Sequence, residues 1–453
     1  MPRVALVYPY FRTRSQTELL FPPLGAASLA SQLHRLGVET RIFDCTFKTF
    51  GGIQKTLKSN QPDIVGIYCM VTLSRNTFRI AEMVRTNLPD SLLAAGGPLP
   101  TLYPEQYSGT FEVVFRGEAD LSFPRFCCDY FDHKVTRSQL KELNLESYPG
   151  LFIGRDGLAI SNPAVHYREK ELETFPLPYR GDFEHAAYQK VWSGQDGSKT
   201  SSIITTLGCP FSCDFCSRPV FGSLFRRRNL DLVFEEIEQI RRLGYDSLWI
   251  ADDNFTLDIS FLKEFCLRMT RRKMGWSCLS RVTGINEEIT GLMKESGCKR
   301  VYLGLETGNQ ATLQLMNKQA TLAEGINAVH LFHQTGIDVA AFFIVGYPGE
   351  TISSIEDTFR LALELPLDSI SFNVPYPLPG SHLFKRVNKV EENKDWNEEN
   401  EVTFLYASEF DPLWLRRRIG ETMQAFAEKK PSLYESNAKT LFTAKAAKNA
   451  KKC

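Results

Sequence analysis

Three cysteines, Cys209, Cys213 and Cys216, lie within Thr205-Thr206-Leu207-Gly208-Cys209-Pro210-Phe211-Ser212-Cys213-Asp214-Phe215-Cys216. Three thiolates on one tight loop can hold three corners of a four-iron cubane, which leaves the fourth iron open to chemistry. A closed structural zinc site would need a fourth nearby Cys or His, and the next cysteine, Cys266, lies far downstream inside an expected helix.

The C-x3-C-x2-C spacing, Phe215 before the last cysteine and the β-like run Ser202–Thr206 ahead of the loop resemble the radical S-adenosylmethionine (SAM) enzymes. The resemblance implies a 4Fe-4S cluster on Cys209, Cys213 and Cys216, whose open iron chelates the amino and carboxylate groups of SAM. Reductive cleavage of SAM then gives methionine and a 5′-deoxyadenosyl radical.

Such a loop needs rigid strand ends around it. From residue 201 to about 375 a strand–helix unit recurs, with strands expected at Ser202–Thr206, Ser247–Ala251, Trp276–Arg281, Arg300–Leu305, Val339–Val345 and Ser369–Val374. Helices follow the first five, for instance Leu230–Leu243, ended by Gly244. Six units predict a partial, open (β/α)6 barrel of the TIM type rather than the eight-stranded closure, its open side able to admit a large substrate.

In a parallel barrel the reactive groups sit just after the strands. Strand two ends in Ala251-Asp252-Asp253-Asn254-Phe255, whose carboxylates can accept from an ammonium group or simply cap the next segment. Strand three ends in Ser280-Arg281, and this guanidinium can fork onto a carboxylate or pair with a local acid. Strand four runs into Gly304-Leu305-Glu306-Thr307-Gly308. Strand five runs into Gly346-Tyr347-Pro348-Gly349-Glu350-Thr351, where glycines permit close backbone approach and Thr351 or Ser353 can start a helix. The family resemblance, which extends over nearly the whole chain, implies SAM contacts at Phe215, Asp252, Asp253, Arg281, Glu306, Gly346, Pro348 and Gly349. In it the acids meet the ammonium, Arg281 the carboxylate, Glu306 a ribose hydroxyl or the ammonium, and the glycine loop the adenine.

Residues 1 to about 132 alternate strand-like runs, at Arg3–Tyr8, Val38–Asp44, Asp63–Tyr68, Leu92–Gly97 and Glu112–Phe115, with helical patterns such as Leu24–Leu36 and Thr77–Leu88. The alternation predicts an α/β fold, a doubly wound parallel sheet with a crevice at the carboxyl ends of its strands. Pro22-Pro23-Leu24-Gly25, Gly96-Gly97-Pro98-Leu99-Pro100-Thr101 and Arg116-Gly117-Glu118-Ala119-Asp120 resemble the cobalamin-associated subgroup of radical SAM enzymes, which includes cobalamin-dependent methyltransferases and anaerobic magnesium-protoporphyrin ester cyclases. The resemblance implies a Rossmann-like cobalamin-binding domain with Cys69, Thr72, Gly96, Gly97, Gly117 and Glu118 at the cofactor, the glycine pair making room for the corrin. Two departures matter. The loop Tyr8-Pro9-Tyr10-Phe11-Arg12-Thr13-Arg14 lacks the histidine of D-x-H-x-x-G, so the implied lower face of cobalt has no protein imidazole, and, separately, Leu99 stands where relatives often carry histidine. His34 with Gly37 imitates the end of that motif, but Gln32 replaces its aspartate and His34 reads as an ordinary helix residue.

Between the two units the periodicity breaks. Leu151–Ile153 and Leu158–Ile160 flank Asp156-Gly157 as a small hairpin, and Pro176-Leu177-Pro178 and Ser193–Ser198 read as a connector. Beyond 380, Asp411-Pro412 starts a helix with an apolar stripe of Leu413, Leu415, Ile419, Met423 and Phe426, and the tail Ala444–Lys452 reads as solvated. The expected organisation is 1–132 cobalamin-type domain, 133–200 linker with hairpin, 201–380 barrel and 381–453 helical region with a basic tail.

The 453 residues, 43% hydrophobic and 23% charged, suffice for two or three domains. Lys plus Arg and Asp plus Glu number 53 each, so no basic field points to nucleic acid or an anionic membrane, and a small-molecule substrate is the default. No apolar run spans a bilayer and Met1–Tyr8 is no secretory signal, which suggests a cytoplasmic protein without stable membrane insertion. Of eleven cysteines, Cys45, Cys69, Cys266, Cys278 and Cys298 read as small buried apolar residues, Cys127-Cys128 as too close to pair and Cys453 as unliganded. The expected function is a radical SAM enzyme that, with cobalamin, methylates an unactivated carbon and takes electrons from a flavodoxin or ferredoxin. Alternatives are an oxidative cyclase or rearrangement enzyme of the same subgroup, and a non-catalytic iron–sulfur or metal-binding protein. An aromatic content of 12% and the Tyr376–His382 segment fit a bulky, partly apolar substrate.

Overall fold

The computed structural model describes residues 3–12, 20–155, 158–216, 222–378, 380–387, 404 and 406–429. The expected Asp156-Gly157 turn, Thr13-Arg14, Pro379, the tail Ala444–Lys452 and Cys453 lie outside them.

Aliphatic runs in the first third form β1 (Arg3–Tyr8), β2 (Glu39–Asp44), β3 (Ile64–Tyr68), β4 (Leu92–Gly96) and β5 (Val113–Phe115), followed by β6 (Leu151–Arg155) and β7 (Leu158–Ser161). They form one sheet in the order β2-β1-β3-β4-β5-β6-β7, the first five strands parallel. Period-two alternation splits the strands between two cores. Val4, Leu6, Ile64 and Leu92 meet Ala27, Ala30 and Leu33 of helix Leu24–Arg35 and Phe123 and Phe126 of helix Ser122–Phe131. Ala5, Val7, Val65 and Leu93 meet Ile53 and Leu57 of helix Phe50–Asn60 and Ile80 and Val84 of helix Ser74–Asn87. Each fully buried aliphatic side chain contributes about 1.5–3 kcal/mol. The hairpin β6–β7, expected in the linker, instead pairs antiparallel with β5 and makes the sheet mixed. Polar Ser193–Asp196, expected as connector, are the last turn of helix His185–Asp196, which ends at left-handed Gly197.

The second unit contains β8 (Thr200–Ile203), β9 (Thr206–Leu207), β10 (Arg226–Arg227), β11 (Ser247–Ile250), β12 (Gly275–Ser280), β13 (Cys298–Glu306), β14 (Asp338–Ile344) and β15 (Ser369–Asn373). Six of these are parallel in the order β15-β14-β13-β12-β11-β8, and β15 does not pair with β8, so the barrel is an open arc. The first strand ends earlier than expected, because Thr206-Leu207 turns away to pair antiparallel with Arg226-Arg227. Trp276, Cys278, Val301, Leu303, Val339 and Phe343 face the helices. Those helices begin at Asn229, Asp258, Asn286, Thr321 and Thr351, each side chain accepting from the first turn, which is worth about 1 kcal/mol per cap. The alternate residues turn to the concave side, where Trp249 and Tyr302 rings lie 4.8 Å apart and Tyr302 stacks on Phe342 at 5.9 Å.

Helix Pro412–Lys429 lays Leu415, Ile419 and Phe426 into this core. Leu413 does not join them and is 67% exposed, because two residues along a helix is about 200° around it. Cys45, Cys69, Cys266, Cys278 and Cys298 are buried free thiols. Among the described residues no helix is long and apolar enough to cross a membrane. The connecting helix His185–Asp196 holds the first unit, with Tyr188 donating to Asp44 (2.7 Å) and the Trp192 indole to Leu20 O (2.8 Å), and the two units meet where Phe21 stacks on Trp249 at 5.8 Å.

Candidate functional site

The cysteine loop leaves β9 through Gly208, whose φ of 77° suits glycine. Its base is anchored by Asp252, buried at the end of β11. That carboxylate accepts from Thr205 N and Oγ1 (2.6 and 2.6 Å) and from Thr206 N and Oγ1 (2.8 and 2.8 Å). Burial lifts the Asp252 carboxyl to about 6, while the four donors pull it down. In this structure Asp252 is engaged by the backbone and hydroxyls of Thr205 and Thr206 beneath the cysteines.

Further along, Asp214 N donates to Met316 O (2.9 Å), Asp214 pairs with Arg386 (2.7 Å) and Asn317 donates to Ser212 O (2.8 Å). Cys209, Cys213 and Cys216 are half-buried, and Cys216 N donates to Cys213 O at 3.2 Å. Among the described residues no three His, Cys, Asp or Glu side chains converge on one ion. A cubane needs no such convergence, since each thiolate takes a separate iron. Three soft donors on one pinned loop, with Arg281 Nη1 donating to Cys213 Sγ at 3.4 Å, suit a cluster and not a hard cation.

Arg281 is 6% exposed and lies 3.7 Å over the Phe211 ring, with Nη2 also bonded to Lys318 O. Its Nε has no partner and is buried, so the fork retains an unused donor beside the cysteines. Phe215 packs with Met316, Tyr347 and Leu383. Asp253 is exposed, with the backbone of Gly208 next to its carboxylate. Glu306 is in the left-handed region, φ 66°, after the irregularity in the β13–β14 pairing, and its carboxylate forms a buried ion pair with Lys318. It is thus not free to meet a ribose unless that pair opens. Lys318 was not expected, and nothing in its sequence neighbourhood signals it. Gly346 and Gly349 have φ of 81° and 87°. A Cβ on Gly346 would meet Phe404 at 2.7 Å, so its close approach is to the C-terminal segment, and Tyr406 donates to Gly346 O at 3.3 Å. Pro348 O accepts from Arg386 at 3.5 Å.

At the carboxyl ends of β3 to β5 the expected cobalamin residues gather, but several are occupied by the protein itself. The Cys69 thiol is buried against Tyr107 Oη (2.9 Å). Gly97, φ 116°, would place a Cβ 2.5 Å from Cys69 O, and Gly117, φ 76°, would place one 2.5 Å from Val165 N. Both glycines serve backbone-to-backbone packing, whereas Gly96 has only Phe115 O at 3.8 Å in front of its missing Cβ. Thr72 is exposed. Glu118 accepts from Arg226 (2.8 Å) and Tyr167 N (2.7 Å). Burial opposes its charge, but His166, Arg226 and Tyr167 together hold its carboxyl below the ordinary value. His34 bonds Thr40 O at 2.9 Å, far from the crevice in role.

Residues 203–362 match the radical SAM superfamily and residues 14–126 match the B12 binding domain. An uncharacterized methyltransferase of Pyrococcus horikoshii is 29% identical over 80% of this chain and 78% of its own length. The anaerobic magnesium-protoporphyrin IX monomethyl ester cyclase of Cereibacter sphaeroides is 26% identical over 88% of this chain and 66% of its own. In fold, the chain is similar to the radical SAM methyltransferase TsrM of Kitasatospora setae, solved with cobalamin and a 4Fe-4S cluster, at a TM-score of 0.70 and 18% identity over 83% of this chain and 75% of that one.

Proposed function

We propose that this chain, a radical SAM protein with an N-terminal B12-binding domain, is a cobalamin-dependent methyltransferase acting on an unactivated carbon of a small molecule. When bound, the 4Fe-4S cluster, SAM and cobalamin supply the electron, the hydrogen-abstracting radical and the methyl group that side chains cannot. The chain's own residues bind, orient and exclude water. Cys209, Cys213 and Cys216 hold the cluster, and Arg281, with its unused Nε, takes the SAM carboxylate. Asp253 is the acid left for the ammonium, since Asp252 is engaged below. The Gly346–Glu350 loop closes on the adenine, and the Trp249–Tyr302–Phe342 wall keeps the barrel's concave side dry. The crevice in front of Gly96 takes the corrin, and a flavodoxin or ferredoxin delivers the electron.

The observation that carries this reading is the position of the cysteine loop, whose flanking strands β9 and β10 touch the loop after β5 of the B12-type sheet through Arg226 and Glu118. Anaerobic protein reconstituted with iron, sulfide and hydroxocobalamin, reduced and given methyl-labelled SAM tests it. Formation of S-adenosylhomocysteine together with 5′-deoxyadenosine supports methyl transfer. Formation of 5′-deoxyadenosine alone overturns it in favour of oxidative cyclisation, the reading that the cyclase relative favours. Loss of neither product in the triple Cys209, Cys213, Cys216→Ala variant refutes both.

A further inference from the structure

Arg226 is the strongest unexplained feature outside the cofactor ligands. Its side chain is only 1% exposed, although it belongs to a two-residue strand near the surface. The guanidinium bonds Glu118 Oε2 (2.8 Å) and Tyr167 O (2.7 Å), partners remote in sequence. Its backbone pairs with Leu207, two residues before Cys209. The next residues continue the attachment: Arg227 pairs with Thr206, and Arg228 N donates to Thr205 O (2.9 Å). At the other end, Glu118 N donates to Val165 O (2.9 Å) and Gly117 N to Thr101 Oγ1 (2.9 Å). Gly117 has no room for a Cβ, so this end is equally rigid. One ion pair, fully buried at Arg226 and 19% exposed at Glu118, thus spans from the crevice loop of the first sheet to β10, the strand paired with β9, which leads into the cysteine loop.

We propose that the Glu118–Arg226 pair is the positioning element that fixes the distance between the corrin crevice and the cluster loop. Removing the Glu118 charge leaves the buried Arg226 guanidinium uncompensated, a larger effect than loss of a surface bridge. Group transfer between two cofactors tolerates little play, because reacting atoms must be held within about 0.5 Å of a productive geometry. This inference rests on the two cofactor sites proposed above.

The test uses protein reconstituted with both cofactors and reduced to cob(II)alamin and the paramagnetic cluster, with the spin–spin distance read by pulsed dipolar EPR. Wild type is expected to give one narrow distribution. Glu118→Gln and Arg226→Gln are expected to broaden it roughly twofold or more, and Arg226→Lys, which keeps the charge but loses the fork, to lie between. In cofactor-free protein, amide exchange at Leu207 is expected to quicken on the order of 100-fold in the Gln variants. A bond that only stabilised the fold would lower the melting temperature while leaving the distance as sharp as in wild type. That result in any folded variant overturns the proposal. Wild type that takes up no cobalamin overturns the functional reading, and the strut with it.

Discussion

Glu350 sits on the loop after β14, 6% exposed, with Tyr347 N (2.8 Å) and Ser354 Oγ (3.5 Å) as donors. Burial lifts its carboxyl from the ordinary 4.5 to about 7. The folded protein therefore holds this proton more tightly than the unfolded chain does. The stability it contributes is whole below about pH 4.5 and is lost as pH rises through about 7. A difference of about 2.5 in pKa, at about 1.4 kcal/mol each, sets a ceiling of about 3.5 kcal/mol. Glu350→Gln keeps an acceptor for Tyr347 N and cannot ionise. It is expected to match wild type near pH 4 and to exceed it by up to about 3 kcal/mol near pH 8, or roughly 6–12 °C in the melting transition of the barrel. Thermal unfolding of the two cofactor-free proteins, followed by circular dichroism across that range, reads the difference directly. A gap between them that stays constant with pH refutes the assignment of the buried charge to Glu350.

Asp252→Asn places an amide N–H₂ against Thr205 N–H or the Thr206 donors, whichever way it turns, and at least one buried donor is left unmet at about 1–3 kcal/mol. The variant is expected to retain less iron after anaerobic desalting than wild type, and equal iron content would show that the anchor does not set the loop. Gly97→Ala meets Cys69 O at 2.5 Å in a backbone conformation that L-residues avoid, so it is expected to lower the stability of the N-terminal sheet by about 3 kcal/mol, measured by urea unfolding.

Periodicity made the large features legible. The continuous apolar run Val4–Val7 dictates two covered faces, and the six barrel strands fall within a few residues of their expected places, with capping residues opening the helices that follow. Two-residue strands carry no period, so the Thr206–Leu207 pairing with Arg226–Arg227 left no mark in the sequence. The hairpin was visible but its sheet was not, since an antiparallel edge depends on partners far along the chain. Residue type was a poor guide to orientation at the site. An acidic pair at a strand end reads the same whether it faces a ligand or, as Asp252 does, the adjoining backbone. Glycines in Gly96-Gly97 read alike, yet a Cβ on the first would sit 3.8 Å from Phe115 O, an ordinary contact, and one on the second 2.5 Å from Cys69 O, a clash. Lys318 and Arg226 find their acids only in three dimensions, and no local pattern announces either pair.

Phe21 wedges between two indoles, 5.1 Å from Trp192 and 5.8 Å from Trp249, on a segment that Trp192 also holds through Leu20 O. One of these indoles belongs to the connecting helix and the other to the barrel wall. Any shift of the Leu20–Phe21 segment must change the surroundings of both fluorophores together. The molecule carries a built-in optical gauge of how its halves are seated, readable by emission and quenching without any attached dye.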